Sequence, residues 1–256
     1  MKLPDLTLLA AVGAIAVFVG AQTPAVRSFA RGDTAAESPG AVTSLPARLV
    51  SEPRMASRRA ANTLPPLRAP DVRRRLAQGS PGTYIDELLL GRDSALTRWP
   101  DRMRRPLRVW VAAGDEVDGW RPIFNDQVRA AFTQWTDAGV PLRFAFVRDS
   151  VSADVHVGWV NRFNEPISGK TLWARDDRWW IVSADIALAV HHHDGDELDV
   201  PQIRAIALHE IGHLIGLDHT GDPANIMASK VRVRELSPAD QATARLLYSV
   251  PAGRVR

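Results

Sequence analysis

The chain has 256 residues, 45% hydrophobic and 24% charged, with a formal net charge of +3 and no cysteine. Such a composition suits one globular domain with extra segments, or two small domains, and excludes a fibrous or wholly disordered chain. Without cysteine there is no disulfide framework, Cys-ligated zinc finger, iron–sulfur cluster or thiol nucleophile, so any catalytic metal must be held by His and carboxylate.

The N-terminus sets one positive residue, Lys2, ahead of an apolar run from Leu6 to Val19, followed by the small residues Gly20 and Ala21. The run is short for a bilayer span, which takes about 20 residues. Residues 1–21 therefore read as a secretory signal, with an uncleaved anchor through residues 6–21 as the alternative. Either way the protein is expected to be exported: secreted, periplasmic or anchored facing outward. Residues 22–94 are rich in Ala, Arg, Pro and Ser and hold no sustained helical or strand period, so they read as a largely disordered linker or pro-segment. Only YIDELLL (84–90) suggests a short helix there. Residues 22–106 carry a net +7, all of the positive charge as Arg, against −4 over 107–256. A basic arm of this kind can meet an anionic surface. Its Arg residues stand among Ala, Ser and Pro with no nucleic-acid motif, and no nucleic-acid partner is expected. The Arg73-Arg74-Arg75 and Arg104-Arg105 clusters are candidate processing sites, or simply part of the Arg-rich composition.

From about residue 95 the texture changes. LRVWVAA (107–113) alternates as a half-buried strand. Phe124, Val128, Phe132 and Trp135 then fall on one face of a long helix, with Pro122 near its start and Gly139 past its end. LRFAFV (142–147), ADVHVGWV (153–160), TLWA (171–174, an edge strand) and WWIVSADIALAV (179–190) read as strands. The order predicts an α/β (α+β) domain over 95–256 with a mixed sheet and helices after it.

Chemistry concentrates in VPQIRAIALHEIGHLIGLDHTGDPANIMAS (200–229). Asp199 can cap a helix starting near Pro201, and Gly216 can end it. His209 and His213 are four residues apart, one turn along a single helix face. Two imidazoles so placed can grip one zinc ion, and after the turn at Gly216 His219 can return as a third nitrogen ligand. Three protein ligands leave a fourth position for water, as in catalytic zinc sites. Glu210 lies beside that position and is not aimed as a ligand. His191-His192-His193-Asp194-Gly195-Asp196-Glu197 is a second His/acid cluster. It reads as a polar loop; a Ca²⁺ site there is conceivable but is not predicted. His156 reads as a strand residue.

HEIGHLIGLDH (209–219) resembles the signature HExxHxxGxxH of the metzincin zinc endopeptidases, and Met227 in NIMAS resembles their Met-turn. Gly216-Leu217-Asp218-His219, the eight-residue step from His219 to Met227, and the helix-like LSPADQATARLLYSV (236–250) narrow the resemblance to matrixins. The resemblance implies a metzincin-like fold: a twisted mixed sheet with a long helix, an active-site helix, the Met-turn and a C-terminal helix. It implies one catalytic Zn²⁺ at His209, His213 and His219, Glu210 as general base and acid, and Met227 beneath the ligands. It also implies a zinc metalloendopeptidase, expected as a monomer, that hydrolyses peptide or protein substrates through a zinc-activated water. Resemblance would lay the substrate along the edge strand near Trp173, which either shapes a subsite or is an ordinary sheet aromatic.

The chain departs from matrixins in several places. It lacks the cysteine with which their pro-segments usually block the zinc; Asp71, Asp86 or Asp93 would have to serve. NRFNEPISGK (161–170) is shorter than the loop that holds extra metals in animal matrixins, and has no His. Thr220 stands where Ser is usual, and SKVRV follows Met227 without the usual Pro and Tyr. The reading opposed to an enzyme is a non-catalytic zinc domain that binds peptides or a partner in the cell envelope, against which Glu210 counts.

Overall fold

The computed structural model describes residues 15–16, 68–92 and 94–255. At its centre is a five-stranded sheet of β1 (Leu107–Val111), β2 (Phe144–Phe146), β3 (Val155–Val160), β4 (Gly169–Arg175) and β5 (Ile181–Ala189), in the order β2-β1-β3-β5-β4. The first four strands in that order run parallel, and β4 closes one edge antiparallel to β5. Parallel neighbours cannot be joined by tight turns. The long connection from β1 to β2 accordingly carries α3 (Ile123–Asp137), whose buried face is the expected Phe124, Val128, Phe132 and Trp135, joined by Ala131.

Helix α4 (Val200–Leu214) packs beside α3 and below β4. Asp199 and Gln202 form a reciprocal capping box at its start, and Pro201 fits the first turn, where no amide partner is required. Every residue from Ala205 to Leu214 is buried, so this is a central helix and not an amphipathic one. The chain leaves it at Gly216, whose φ of +104° suits glycine and where a Cβ would collide with the Thr97 carbonyl. Trp135 Nε1 donates to Leu208 O at 2.8 Å and Trp99 Nε1 to Leu214 O at 2.9 Å, tying the helix to its surroundings on two sides. The closing helix α5 (Pro238–Ser249) has its own capping box from Ser237 and Asp240.

The expectation of a largely disordered 22–94 is corrected over its last third. Residues from 68 onward form α1 (Ala69–Gly79), which the sequence pattern does not predict, and α2 (Ile85–Gly91), which falls on the short helix expected at 84–90. Val72 and Leu76, one turn apart, join the core, and a Cβ on Gly79 would lie 2.6 Å from Leu246 Cδ1 of α5. Two apolar residues among arginines suffice because the arginines also find partners. Arg73 Nε donates to Val255 O and Arg75 Nη1 to Ser249 O, so this cluster is bound to the domain's C-terminal end. Asp71 pairs with Arg74 at 2.6 Å; Asp93 lies outside the described residues. So does the apolar N-terminal segment, apart from Ile15–Ala16, which pair antiparallel with Lys230–Val231. Among the described residues no helix is long and apolar enough to cross a membrane.

Candidate metal centre

His209 and His213 project from one side of α4, and the turn at Gly216 brings His219 back over them. Potential ligand atoms of the three rings lie within 4.8 Å of one another. His209 and His213 are fully buried and His219 partly so. His209 Nδ1–H donates to Ile226 O at 2.7 Å and His213 Nδ1–H to Leu217 O at 3.1 Å. A carbonyl can only accept, so both protons sit on Nδ1 and both Nε2 atoms carry lone pairs. Those two Nε2 atoms are 2.9 Å apart. Two acceptors facing each other at that distance repel unless they share a proton or a metal ion.

Burial keeps the rings neutral. It pushes His209 down to about 3, His213 well below its ordinary value, and His219 down as well, with mutual repulsion adding to the effect on the first two. His219 Nε2 is buried without a hydrogen-bond partner. Three neutral imidazoles with converging lone pairs fit a cation that takes nitrogen ligands, zinc foremost.

Glu210 is fully buried beside them. Its Oε2 accepts from Thr171 Oγ1 at 2.6 Å, while Oε1 has no partner. Burial pushes this carboxyl up to about 8, against the opposing pull of the Thr171 hydroxyl. Room for it exists because residue 169 on β4 is glycine: a Cβ there would collide with Oε1. Below the histidines, Met227 is fully buried with its sulfur against Gly212, where a Cβ would also collide. Met227 O accepts from Thr220 N at 3.0 Å, closing the loop that carries His219.

The five residues singled out in the sequence are thus brought together. Four others support them, three of which have no sequence signal of their own. Gly169 and Thr171 come from the edge strand. Asp240 Oδ2 accepts from Ile226 N at 2.9 Å, and its Oδ1 accepts from Tyr84 Oη at 2.9 Å. Only the Ser237-x-x-Asp240 capping spacing hints at Asp240. The fourth is Arg92, considered below. The His191–Glu197 loop folds on itself through an isolated bridge between its ends, and the His209, His213 and His219 group is the one candidate metal cluster among the described residues. Trp173 is half-buried on β4, with the Arg92 guanidinium 5.5 Å from its ring centre.

Fold and geometry together define a mixed α/β domain built around a three-histidine centre with an adjoining carboxylate. The sequence profile of the matrixin family matches residues 118–249, and the chain belongs to that family. It is 24% identical over 147 residues to Metalloendoproteinase 5-MMP of Arabidopsis thaliana, covering 51% of this chain and 38% of that protein. With human Matrix metalloproteinase-15 it shares 26% identity over 162 residues, covering 60% of this chain and 22% of that one. The chain therefore spans well under half the length of these relatives. A crystal structure of myroilysin aligns with a TM-score of 0.43 at 12% identity, over 59% of this chain and 86% of that one. Matrixin membership implies zinc, and the three-histidine group is the candidate site for it among the described residues.

Proposed function

We propose that this chain is an exported zinc endopeptidase in which His209, His213 and His219 hold the metal and Glu210 moves the proton. The observation that carries this reading is the pair of Nε2 lone pairs, fixed by backbone carbonyls, beside an unpartnered Glu210 oxygen. Zinc, when bound, supplies a Lewis acid that polarises the peptide carbonyl and lowers the pKa of a water. Glu210 Oε1, free of partners, accepts that water's proton and returns it to the leaving amine. Thr171 holds the other oxygen, so the carboxylate cannot swing away. Met227 packs beneath the ligands and limits their movement.

The substrate lies extended along the free edge of β4, adding a strand by main-chain hydrogen bonds. The seven-residue strand that seats the peptide is then the one that steadies Glu210. Export rests on the apolar run at residues 6–19, and residues before 68 form a leader and linker to a monomeric peptidase body.

Zinc content and cleavage of a peptide library by the full chain, wild type beside Glu210→Ala, test the reading. One zinc per chain in both proteins, with cleavage only in wild type, is the expected result. Zinc in both with cleavage in neither would favour a binding domain. A folded chain that takes up no zinc would overturn the assignment of the three histidines.

A further inference from the structure

Helix α2 and Arg92, the residue that follows it, precede the family-matched residues 118–249, yet they grip the loop that carries His219 from both sides. After His219, Glu87 Oε1 accepts from Thr220 Oγ1 at 3.1 Å and Glu87 Oε2 from Gly221 N at 2.8 Å. Before it, Arg92 donates to three groups in a row: Nη1 to Gly216 O, Nη2 to Leu217 O and Nε to Asp218 Oδ2, each at 3.0 Å. Asp218 Oδ1 in turn accepts from His219 N at 2.9 Å. Leu217 O is the same carbonyl that fixes the His213 tautomer.

The helix itself is anchored. Ile85 and Leu88 are fully buried, and Tyr84 N donates to Thr243 Oγ1 of α5 at 3.1 Å. The Arg92 side chain is only 11% exposed. A guanidinium so deeply placed is costly unless it is paired, and its planar fork meets three acceptors at once, which a lysine ammonium could not.

We infer that Glu87 and Arg92 are positioning residues of the metal centre: a clamp that holds residues 216–221 in the one arrangement that presents His219. The inference rests on the proposed role of His219 as a metal ligand. Residues 216–221 begin and end in glycine, so without the clamp they regain backbone freedom and the third nitrogen becomes costly to recruit. The consequence for processing is direct. Cutting the chain between residues 92 and 95, where a pro-segment ending at 94 would be removed, takes both clamp residues away and loosens the metal instead of unmasking it.

The test is a double-mutant cycle on the full chain, with Zn²⁺ affinity read by competition against a chromophoric chelator and the visible spectrum of the Co²⁺-substituted protein as a second readout. Arg92→Ala is expected to weaken zinc binding by about 10- to 100-fold, the usual range for groups that orient ligands, and to weaken the four-coordinate Co²⁺ bands. Glu87→Ala, an exposed position where folding is not at risk, should produce a smaller loss in the same direction. In a His219→Ala background Glu87→Ala should lower affinity no further and the Arg92→Ala loss should shrink to what Arg92 contributes to His213 through Leu217 O. Equal losses with and without His219 would reduce the clamp to general stabilisation and overturn it. So would affinities within twofold of wild type in both clamp variants. If Arg92→Ala does not fold, Glu87→Ala carries the same cycle. Wild type that binds no zinc at all would instead sink the metal-site reading beneath it.

Discussion

Thr171→Val tests the division of labour around Glu210. The position is 1% exposed, and valine keeps the branched shape while replacing Oγ1 by a methyl. One hydroxyl proton serves two acceptors, Glu210 Oε2 at 2.6 Å and Glu210 O at 3.0 Å, and the shorter contact to the carboxylate takes most of it. A hydrogen bond to a charged group contributes about 1.5–3 kcal/mol. Its loss should lower kcat by roughly 10- to 150-fold if the bond is fully expressed in the transition state. KM should change little, since the substitution leaves the Thr171 main chain in place and alters only a buried side chain turned to Glu210. The bond favours the ionised carboxylate, so removing it raises the pKa and moves the acid limb of the pH profile upward by about one to two pH units. Steady-state hydrolysis of one peptide from pH 5 to 9, with zinc content measured in parallel, separates these effects. Full zinc, kcat within twofold of wild type and an unmoved acid limb would refute the idea that Thr171 steadies the carboxylate.

Three further outcomes are expected. Gly216→Ala places a Cβ against Thr97 O at a φ of +104°; strain of about 1–3 kcal/mol should appear as a lower Tm and faster zinc release to a chelator. The metal-free chain should be most resistant to urea near neutral pH. Below the ordinary histidine value, unfolding exposes three rings that then take up protons the folded state refuses, so stability falls with acid. Above neutrality the raised Glu210 carboxyl keeps a proton that the unfolded chain has released, so stability declines again as pH rises toward about 8; a flat urea midpoint from pH 5 to 8.5 would contradict this. Finally, Trp173→Ala should alter cleavage-site preference in a peptide library if the ring shapes a subsite, whereas an unchanged preference would leave it a sheet aromatic resting on Arg92.

Much of the fold is legible in residue spacing because its elements are locally determined. Phe124, Val128, Phe132 and Trp135 need only the helical period to declare a buried face, and Asp199 and Gly216 mark the ends of α4 by their own backbone preferences. The metal-site cluster is legible for the same reason: two of its histidines share a helix turn, and the third lies just beyond a glycine. What escapes is everything recruited over long sequence separation. Thr171 meets Glu210 across 39 positions and Arg92 meets Asp218 across 126. Neither leaves a periodic trace, because each makes its contact as a single residue. Helix α1 escapes for a different reason. Its buried residues are just Val72 and Leu76 amid a run of arginine, and the carbonyls of Ser249 and Val255, far along the chain, turn that charge into attachment.

The two acceptors that set the His209 and His213 tautomers are main-chain oxygens, of Ile226 and Leu217. No single substitution deletes a carbonyl. The orientation of these rings is therefore insulated from mutational drift in a way that a carboxylate–histidine pair is not, and side chains at 217 and 226 can vary as long as the backbone path survives. Heritable change at this centre is channelled toward residues that shape that path, the glycines and the side chains that hold the loops. Relatives whose sequences diverge widely could thus keep the same arrangement of imidazoles while differing in how firmly it is held.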